Sequence, residues 1–281
     1  MPFLETHLHS SDGLPLARIG QGSWDLPESG ARCDEAISAL RAGVEAGLTH
    51  IDTAEMYGSG RVETLIGAAI APLDRSRLFL TSKVLPSNAS FDGTLAACER
   101  SLTRLGTSYL DLYLLHWPSE TPFAETARAL RRLRDEGLVR YVGVSNFDIA
   151  EFEEAYNLLD GLACNQVLYH LGERGMEHRV LPFARQHGIA VVGYTPFGRG
   201  SYRRSGSDVL EAIAQRHGRT VSQVILAFLT RESQVYAIPK AARRVHMLEN
   251  AGAIDLRLTA EDIAGIESTY PRGNDGPLAT L

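Results

Sequence analysis

Short apolar runs alternate with longer amphipathic stretches along most of the chain, which predicts strands that alternate with helices. The apolar runs are rich in Val, Ile, Leu and Tyr and have the length of buried strands. The predicted strands are residues 18–22, 49–52, 77–83, 109–115, 139–144, 164–167, 189–194 and 235–238. Strands of this kind, separated by helices, indicate a parallel sheet.

The stretches between the apolar runs have apolar residues at helical spacing, and several end at helix-stopping residues such as Gly47, Pro72 and Gly106. The predicted helices are residues 34–46, 62–71, 92–105, 122–136, 149–158, 178–187, 209–216, 221–230 and 243–251. One extra helix is expected at residues 259–268, where Thr259 is a suitable N-cap and acidic residues fill the first turn.

Eight strands with intervening helices in a chain of 281 residues predict an α/β fold, a closed (β/α)8 TIM barrel. We expect one domain over residues 1–281, with an N-terminal β-hairpin formed by residues 3–8 and 14–19 and an extra C-terminal helix. A doubly wound sheet is the alternative, but it needs a nucleotide loop with three glycines. Gly20-Gln21-Gly22 and Gly58-Ser59-Gly60 both lack the third glycine.

Composition excludes some function classes. The net charge of -6 argues against nucleic-acid binding, and no apolar run is long enough to span a membrane. Cys33, Cys98 and Cys164 are widely spaced, which is typical of plain thiols in a reducing compartment. The polar N-terminus does not resemble a signal peptide, so we expect a cytoplasmic protein. His7 and His9 resemble a metal-binding His-x-His pair, but no further ligands follow, so we expect surface histidines and no metal.

Four chemically distinctive residues end or follow three successive predicted strands. Asp52 ends the second strand and Tyr57 follows it, Lys83 ends the third, and His116 follows the fourth. The C-terminal ends of barrel strands share one face, so these side chains should meet. Tyr57 would be a stronger proton donor if a cation lowered its pKa from about 10, and Lys83, paired with Asp52, is the predicted cation. Each residue alone has an ordinary structural explanation, but the four together indicate catalysis.

With these residues in place, the chain resembles the aldo-keto reductases over nearly its whole length. The matching motifs are Asp52-Thr53-Ala54-Glu55-Met56-Tyr57-Gly58, Ser82-Lys83, the stretch 109–117, Gly143-Val144-Ser145-Asn146-Phe147 and Ile238-Pro239-Lys240. The resemblance implies a barrel that binds NADPH across its C-terminal face without a Rossmann fold. It also implies a catalytic tetrad of Asp52, Tyr57, Lys83 and His116, in which His116 orients the substrate carbonyl.

The resemblance carries cofactor residues over by position. It implies that Ser145, Asn146 and Gln166 bind the nicotinamide carboxamide and that Tyr194 stacks on the ring. Pro196 and Phe197 fall where backbone contacts to the cofactor are expected. Without the tetrad, Ser145 and Asn146 would be better read as an N-cap pair before Asp148.

The segment 240–250 resembles the adenosine end of the site. The residues expected to bind there are Lys240, Arg243, His246, Glu249 and Asn250. Ala241 and His246 depart from the family pattern, since a hydroxyl residue and an arginine are common there. Arginine is a permanent planar cation, whereas histidine is mostly neutral near pH 7. We therefore expect NADPH to be preferred by a reduced margin, with NADH possible, unless Arg244 compensates.

Trp24 and Trp117 are the predicted substrate-binding residues, although either could be a packing residue instead. Several motifs look closest to a bacterial branch of the family that includes methylglyoxal reductases. The expected activity is therefore NADPH-dependent reduction of small aldehydes or α-oxoaldehydes, as in enzymes of the aldehyde reductase type. We expect a monomer. Residues 271–281 form a short tail, which suggests an open site. The alternative function is a nicotinamide-nucleotide-binding regulatory subunit with little turnover.

Overall fold

The computed structural model describes residues 15–27, 29–204 and 207–281. Its centre is an eight-stranded parallel sheet in which every strand pairs with its neighbour in the sequence. The strands are β1 (Gln21–Gly22), β2 (His50–Asp52), β3 (Phe79–Val84), β4 (Leu110–Leu115), β5 (Val139–Ser145), β6 (Leu162–Leu168), β7 (Ala190–Tyr194) and β8 (Val235–Ile238). All their C-terminal ends therefore lie on one face.

The barrel closes where the segment around β1 meets β8. Isolated parallel bridges join Ile19 to Ala237 and Gly22 to Lys240, and the Gly22 amide donates to the Pro239 carbonyl at 3.0 Å. A Cβ atom on Gly22 would lie 2.5 Å from the Ile238 carbonyl oxygen, so only glycine allows this approach. The closure brings the loop after β1 next to Lys240.

Ten α-helices accompany the strands in the described residues. They are α1 (Ala31–Glu45), α2 (Arg61–Ile70), α3 (Phe91–Leu105), α4 (Phe123–Asp135), α5 (Ile149–Leu158), α6 (Val180–Gln186), α7 (Ser207–His217), α8 (Val221–Leu229), α9 (Arg244–Ala251) and α10 (Ala260–Thr269). Their ends follow local chemistry: Ser90 caps α3, Gly106 ends it in the left-handed region, and Thr259 forms a capping box with Asp262 at α10.

Two hydrophobic clusters hold the barrel together. The larger one fills the layer between the strands and the surrounding helices. The smaller one fills the barrel interior, and its buried members are Leu16, Phe79, Leu112, Leu114, Cys164, Ala190, Val192, Tyr236 and Ile238. Above the apolar interior, the inward positions at the C-terminal strand ends are buried but polar, as at Asp52 and Lys83. Such positions are candidates for function.

The predicted barrel and its extra C-terminal helix, α10, are confirmed. The predicted first strand, residues 18–22, pairs with β2 only at Gln21–Gly22. Arg18, Gly20 and Gly22 form backbone hydrogen bonds with Ala237 and Pro239, in and just after β8. The first arm and the turn of the predicted hairpin, together with His7 and His9, lie outside the described residues. Residues 15–18, in its expected second arm, form no strand.

Candidate active site

β2 and β3 bring an acid and a base together at the C-terminal face. Asp52 pairs in the sheet with Thr81, two residues before Lys83, and alternation along the strand turns Thr81 and Lys83 to the same side. The Lys83 Nζ lies 2.6 Å from Asp52 Oδ1, and both side chains are almost fully buried. The predicted partnership of these two residues is therefore present in the structure.

Lys83 makes two further contacts that aim its ammonium at the loop after β2. It donates to the Thr53 carbonyl at 2.8 Å and lies 3.3 Å from the Tyr57 hydroxyl. Burial opposes the charge on Lys83, but the Asp52 carboxylate and the Tyr57 phenol outweigh burial and raise its pKa above the ordinary value. Lys83 is therefore a cation at neutral pH.

The expected depression of the Tyr57 pKa is wrong for the protein on its own. Burial raises the pKa of Tyr57 above its ordinary value of 10.0, whereas Lys83 lowers it and Asp52 raises it. The loss of solvation is the largest contribution, and the paired cation offsets it only in part. Tyr57 is accordingly a neutral phenol at physiological pH that can donate a proton, and Lys83 limits the cost of forming its anion.

His116 follows β4 and lies beside Tyr57, with 5.9 Å between the ring centroids. Its ring stacks on Trp117 at a centroid distance of 3.9 Å. Burial and the nearby Lys83 lower the pKa of His116 to about 2, so the imidazole is neutral. A neutral imidazole can donate a hydrogen bond through one nitrogen without carrying charge.

Gln166 has a role that the sequence did not reveal. Its Nε2 donates to Asp52 Oδ2 at 2.7 Å, so the carboxylate of Asp52 is held by Lys83 on one oxygen and by Gln166 on the other. Gln166 lies on β6, opposite Ser145 on the neighbouring β5. It thus orients the Asp52 carboxylate. A carboxylate fixed at both oxygens has little freedom to rotate.

Ser145 and Asn146 lie at the end of β5 and are buried. The Ser145 hydroxyl donates to the Gln166 carbonyl at 2.9 Å, and the Asn146 amide donates to the His116 carbonyl at 3.0 Å. Asn146 is left-handed, with φ 62°, a conformation that asparagine tolerates better than most residues. The Tyr194 hydroxyl donates to Asn146 Oδ1 at 2.8 Å. The segment therefore forms no N-cap here, since Asp148 caps α5.

The segment after β7 and the C-terminal tail flank Tyr194. Thr195 has φ 54°, a strained conformation for a β-branched residue, while Pro196 is buried and Phe197 packs against the main core. The Leu281 amide lies 3.4 Å from the Tyr194 hydroxyl. The tail thus reaches this side of the face.

Lys240 and Arg243 lie between β8 and α9, and His246 and Glu249 lie on α9 itself. Lys240 Nζ is 3.9 Å from a carboxylate oxygen of Asp25. The Arg243 guanidinium contacts His246 Nε2, and His246 Nδ1 lies 3.4 Å from Glu249 Oε2. Asn250 is buried on α9.

Trp24 borders a cavity of about 160 Å³ that also includes Tyr57. Its indole is 46% exposed and lies under the Arg199 guanidinium, 5.1 Å from it. The other lining residues are Asp25, Leu26, Met56, Gly58 and Val62. Trp117 is not part of this cavity wall, since it packs on His116 instead. Trp24 thus lines the cavity beside Tyr57, whereas Trp117 lies against His116.

Residues 18–271 match the profile of the Aldo/keto reductase family. The chain belongs to the aldo/keto reductase family. It is 42% identical to methylglyoxal reductase YeaE of Escherichia coli, over 93% of each chain. It is 34% identical to the glyoxal reductase of Bacillus subtilis, over 95% of this chain and 93% of that one. The resemblance inferred from the motifs is confirmed.

A solved structure has the same architecture as this aldo/keto reductase. The aldo/keto reductase of Klebsiella pneumoniae, crystallised in complex with NADP and acetate, superposes with a TM-score of 0.89 at 42% identity. The comparison covers 95% of this chain and 96% of that one. Within the residues described for the present aldo/keto reductase, no group of three or more His, Cys, Asp or Glu side chains is arranged to hold a metal. No helix in these ranges has the length and apolar character required to cross a membrane.

His50 is a second buried histidine in this aldo/keto reductase, one layer below Asp52. Its Nε2 lies 3.0 Å from the Thr81 hydroxyl, and its Nδ1 has no partner among the described residues. Burial lowers the pKa of His50 to about 4, while Asp52 raises it and Lys83 lowers it. Its sequence neighbourhood, Thr49-His50-Ile51, reads only as a strand, so nothing in it marked His50 as special.

We expect the free energy of unfolding to fall as the pH drops below about 6.5. The unfolded chain then protonates His50 and His116, whereas their native pKa values of about 4 and about 2 keep the folded rings neutral. Between pH 7 and pH 5, each histidine should lower the free energy of unfolding by about 2 kcal/mol. Urea unfolding at both pH values measures this loss.

The variant His50→Gln keeps a polar group facing Thr81 but does not titrate. Its loss of stability between pH 7 and pH 5 should be about 2 kcal/mol smaller than that of the unmodified protein. An equal pH dependence in the two proteins would contradict the assignment to His50.

Proposed function

We propose that this aldo/keto reductase reduces small aldehydes and α-oxoaldehydes to alcohols with NADPH. The observation that carries the proposal is the Lys83 ammonium, which lies 2.6 Å from the Asp52 carboxylate and 3.3 Å from the Tyr57 hydroxyl. A phenol beside a buried, fixed cation is suited to protonating an oxygen that gains negative charge.

Tyr57 is the proton donor in this mechanism. As the carbonyl carbon accepts hydride, the oxygen develops negative charge and takes the phenolic proton of Tyr57. The Tyr57 oxygen is then an anion 3.3 Å from Lys83, and this attraction lowers the free energy of the charged state. Asp52 keeps Lys83 in place and protonated, and Gln166 keeps Asp52 in place.

His116 orients the substrate carbonyl. Because its pKa of about 2 keeps the ring neutral, His116 donates a hydrogen bond rather than competing with Tyr57 as an acid. The stack on Trp117 fixes the ring plane, and Trp117 and Trp24 provide apolar surface for the rest of the substrate. A cavity of about 160 Å³ lies beside Trp24 and Tyr57.

The polar groups around Asn146 fit a nicotinamide carboxamide. Ser145, Asn146 and Gln166 are neutral and buried, with both donor and acceptor atoms, and the Tyr194 ring lies beside them. Bound there, the nicotinamide supplies the hydride. Pro196 and Phe197 continue the path along the face, and Lys240, Arg243, His246, Glu249 and Asn250 hold the adenosine end. The NADP complex of the Klebsiella pneumoniae relative supports the choice of cofactor.

The α-oxoaldehyde class rests on two relatives with related names, the methylglyoxal reductase of Escherichia coli and the glyoxal reductase of Bacillus subtilis.

The test is steady-state oxidation of NADPH and NADH with methylglyoxal, simple aldehydes, ketones and sugars. We expect turnover of methylglyoxal with NADPH, weaker but measurable turnover with NADH, and lower kcat/KM for sugars. Binding of NADPH in calorimetry without turnover of any carbonyl compound would contradict the proposed enzyme and favour a nucleotide-binding regulatory subunit.

A further inference from the structure

The loop after β1 carries an acid that reaches the adenosine end of the face. Asp25 follows Trp24, and its carboxylate lies 3.9 Å from Lys240 Nζ. The two residues meet because the barrel closes here, with Gly22 bridged to Lys240. The Asp25 side chain is 78% exposed and that of Lys240 38%. An exposed pair of this length contributes little to stability, so its main effect falls on charged ligands nearby.

The backbone fixes the position of Asp25. Its φ of 59° is left-handed, a conformation that few residues other than glycine, asparagine and aspartate adopt at low cost. The preceding Trp24 is covered by the Arg199 guanidinium at 5.1 Å, which ties the same loop to the segment after β7. The left-handed turn and the packed Trp24 therefore place Asp25 beside Lys240.

The neighbouring cations of this region have different surroundings. Arg243 contacts His246, which in turn contacts Glu249 at 3.4 Å. Arg244 lines a separate groove with Asp34 and Glu45 on the α1 side. Of these three cations, Lys240 is the one with an ion pair among the described residues, and its partner Asp25 comes from a distant loop.

We propose that Asp25 is a specificity-determining residue that weakens the preference for the phosphorylated cofactor. The inference rests on the proposed function, in which Lys240 contacts the 2′-phosphate. A phosphate monoester carries a charge of about -1.5 to -2 at pH 7. The 2′-phosphate must displace Asp25 from Lys240 and then lie near a carboxylate of like charge. The ribose hydroxyl of NADH carries no charge, so Asp25 takes little binding free energy from NADH.

Asp25→Asn tests this directly. Asparagine has the same shape and also accepts the left-handed conformation, so the turn is preserved while the charge is removed. We expect the Kd of NADPH to fall by about three- to tenfold, an effect that weakens in 1 M salt because exposed charges are screened. The Kd of NADH should change less than about twofold. Isothermal titration calorimetry of both nucleotides measures these values without any turnover.

Asp135→Asn is the matched control, since it removes one exposed carboxylate at the end of α4, away from Lys240. It should leave both Kd values unchanged. Equal changes for NADPH and NADH in Asp25→Asn, or no change, would overturn the role of Asp25. If the unmodified chain turns over methylglyoxal with NADPH in that case, the proposed function stands without it. If the unmodified chain binds neither nucleotide, both proposals are overturned.

Discussion

Replacing Tyr57 by phenylalanine is expected to lower kcat for carbonyl reduction by about 10²–10⁴-fold, the range that a positioned general acid contributes. The substitution removes one hydroxyl and keeps the ring that faces His116 at 5.9 Å. Lys83 loses one of its three acceptors but keeps Asp52 and the Thr53 carbonyl. The site should therefore remain folded and lack only its proton donor.

The Kd of NADPH separates this interpretation from a general loss of structure. The groups proposed to hold the nicotinamide, Ser145, Asn146 and Tyr194, do not contact Tyr57 by any hydrogen bond among the described residues. The Kd of Tyr57→Phe should then stay within about twofold of the unmodified value, because no contact of those groups is removed.

Tyr141→Phe is the control for loss of a tyrosine hydroxyl in the barrel wall. Tyr141 is on β5 and stacks on Phe79 at 6.1 Å, inside the barrel and away from Lys83. It should retain activity. If Tyr57→Phe keeps a tenth or more of the unmodified kcat, Tyr57 is not the essential acid.

The pH dependence of the reaction follows from the same residue. Burial keeps the pKa of Tyr57 above 10.0, so the proton-donating form is fully present at neutral pH. Reduction measured as kcat/KM should stay constant from neutral into mildly alkaline pH and decline only as the pH rises through that raised pKa.

The sequence was sufficient for the parts of the site that depend on topology. Asp52 and Lys83 could be brought together from their places at the ends of adjacent strands, because parallel strands in a barrel end on one face. The same argument placed His116 nearby, whereas Asn146 was expected only from the resemblance to the family. The structure joins the two residues through the His116 carbonyl.

Other parts depend on distances that strand order does not define. The contact between Gln166 and Asp52 joins opposite sides of the barrel, from β6 to β2. The pair of Asp25 and Lys240 depends on the direction that the left-handed turn at Asp25 gives to the loop after β1. The direction in which the Tyr57 pKa shifts depends on the balance between burial, which raises it, and Lys83, which lowers it. A sequence does not show how deeply one side chain is buried. These are quantities of packing and solvation rather than of pattern.

Replacing Lys83 by methionine should cost both stability and activity. Asp52 would remain almost fully buried with Gln166 as its donor and without its cation. Removing one partner of a buried ion pair typically costs about 3–5 kcal/mol, because the remaining charge is desolvated without compensation. Asp52→Asn leaves the converse problem, an uncompensated ammonium, and should be destabilised to a similar extent. Urea unfolding at pH 7 measures both losses.

The double variant Asp52→Asn/Lys83→Met distinguishes the structural role of the pair from its catalytic role. It contains no buried charge at this position, so its loss of stability should be smaller than the sum of the two single losses by about 2 kcal/mol or more. In the unmodified protein Lys83 lies 3.3 Å from the Tyr57 hydroxyl. The double variant has no cation there, so its activity should stay as low as that of Lys83→Met. Stability that returns without activity would mean that the pair is kept for the chemistry of Tyr57. Losses of stability that simply add would show that the two charges do not depend on each other and would remove the basis for Asp52 as the residue that holds Lys83.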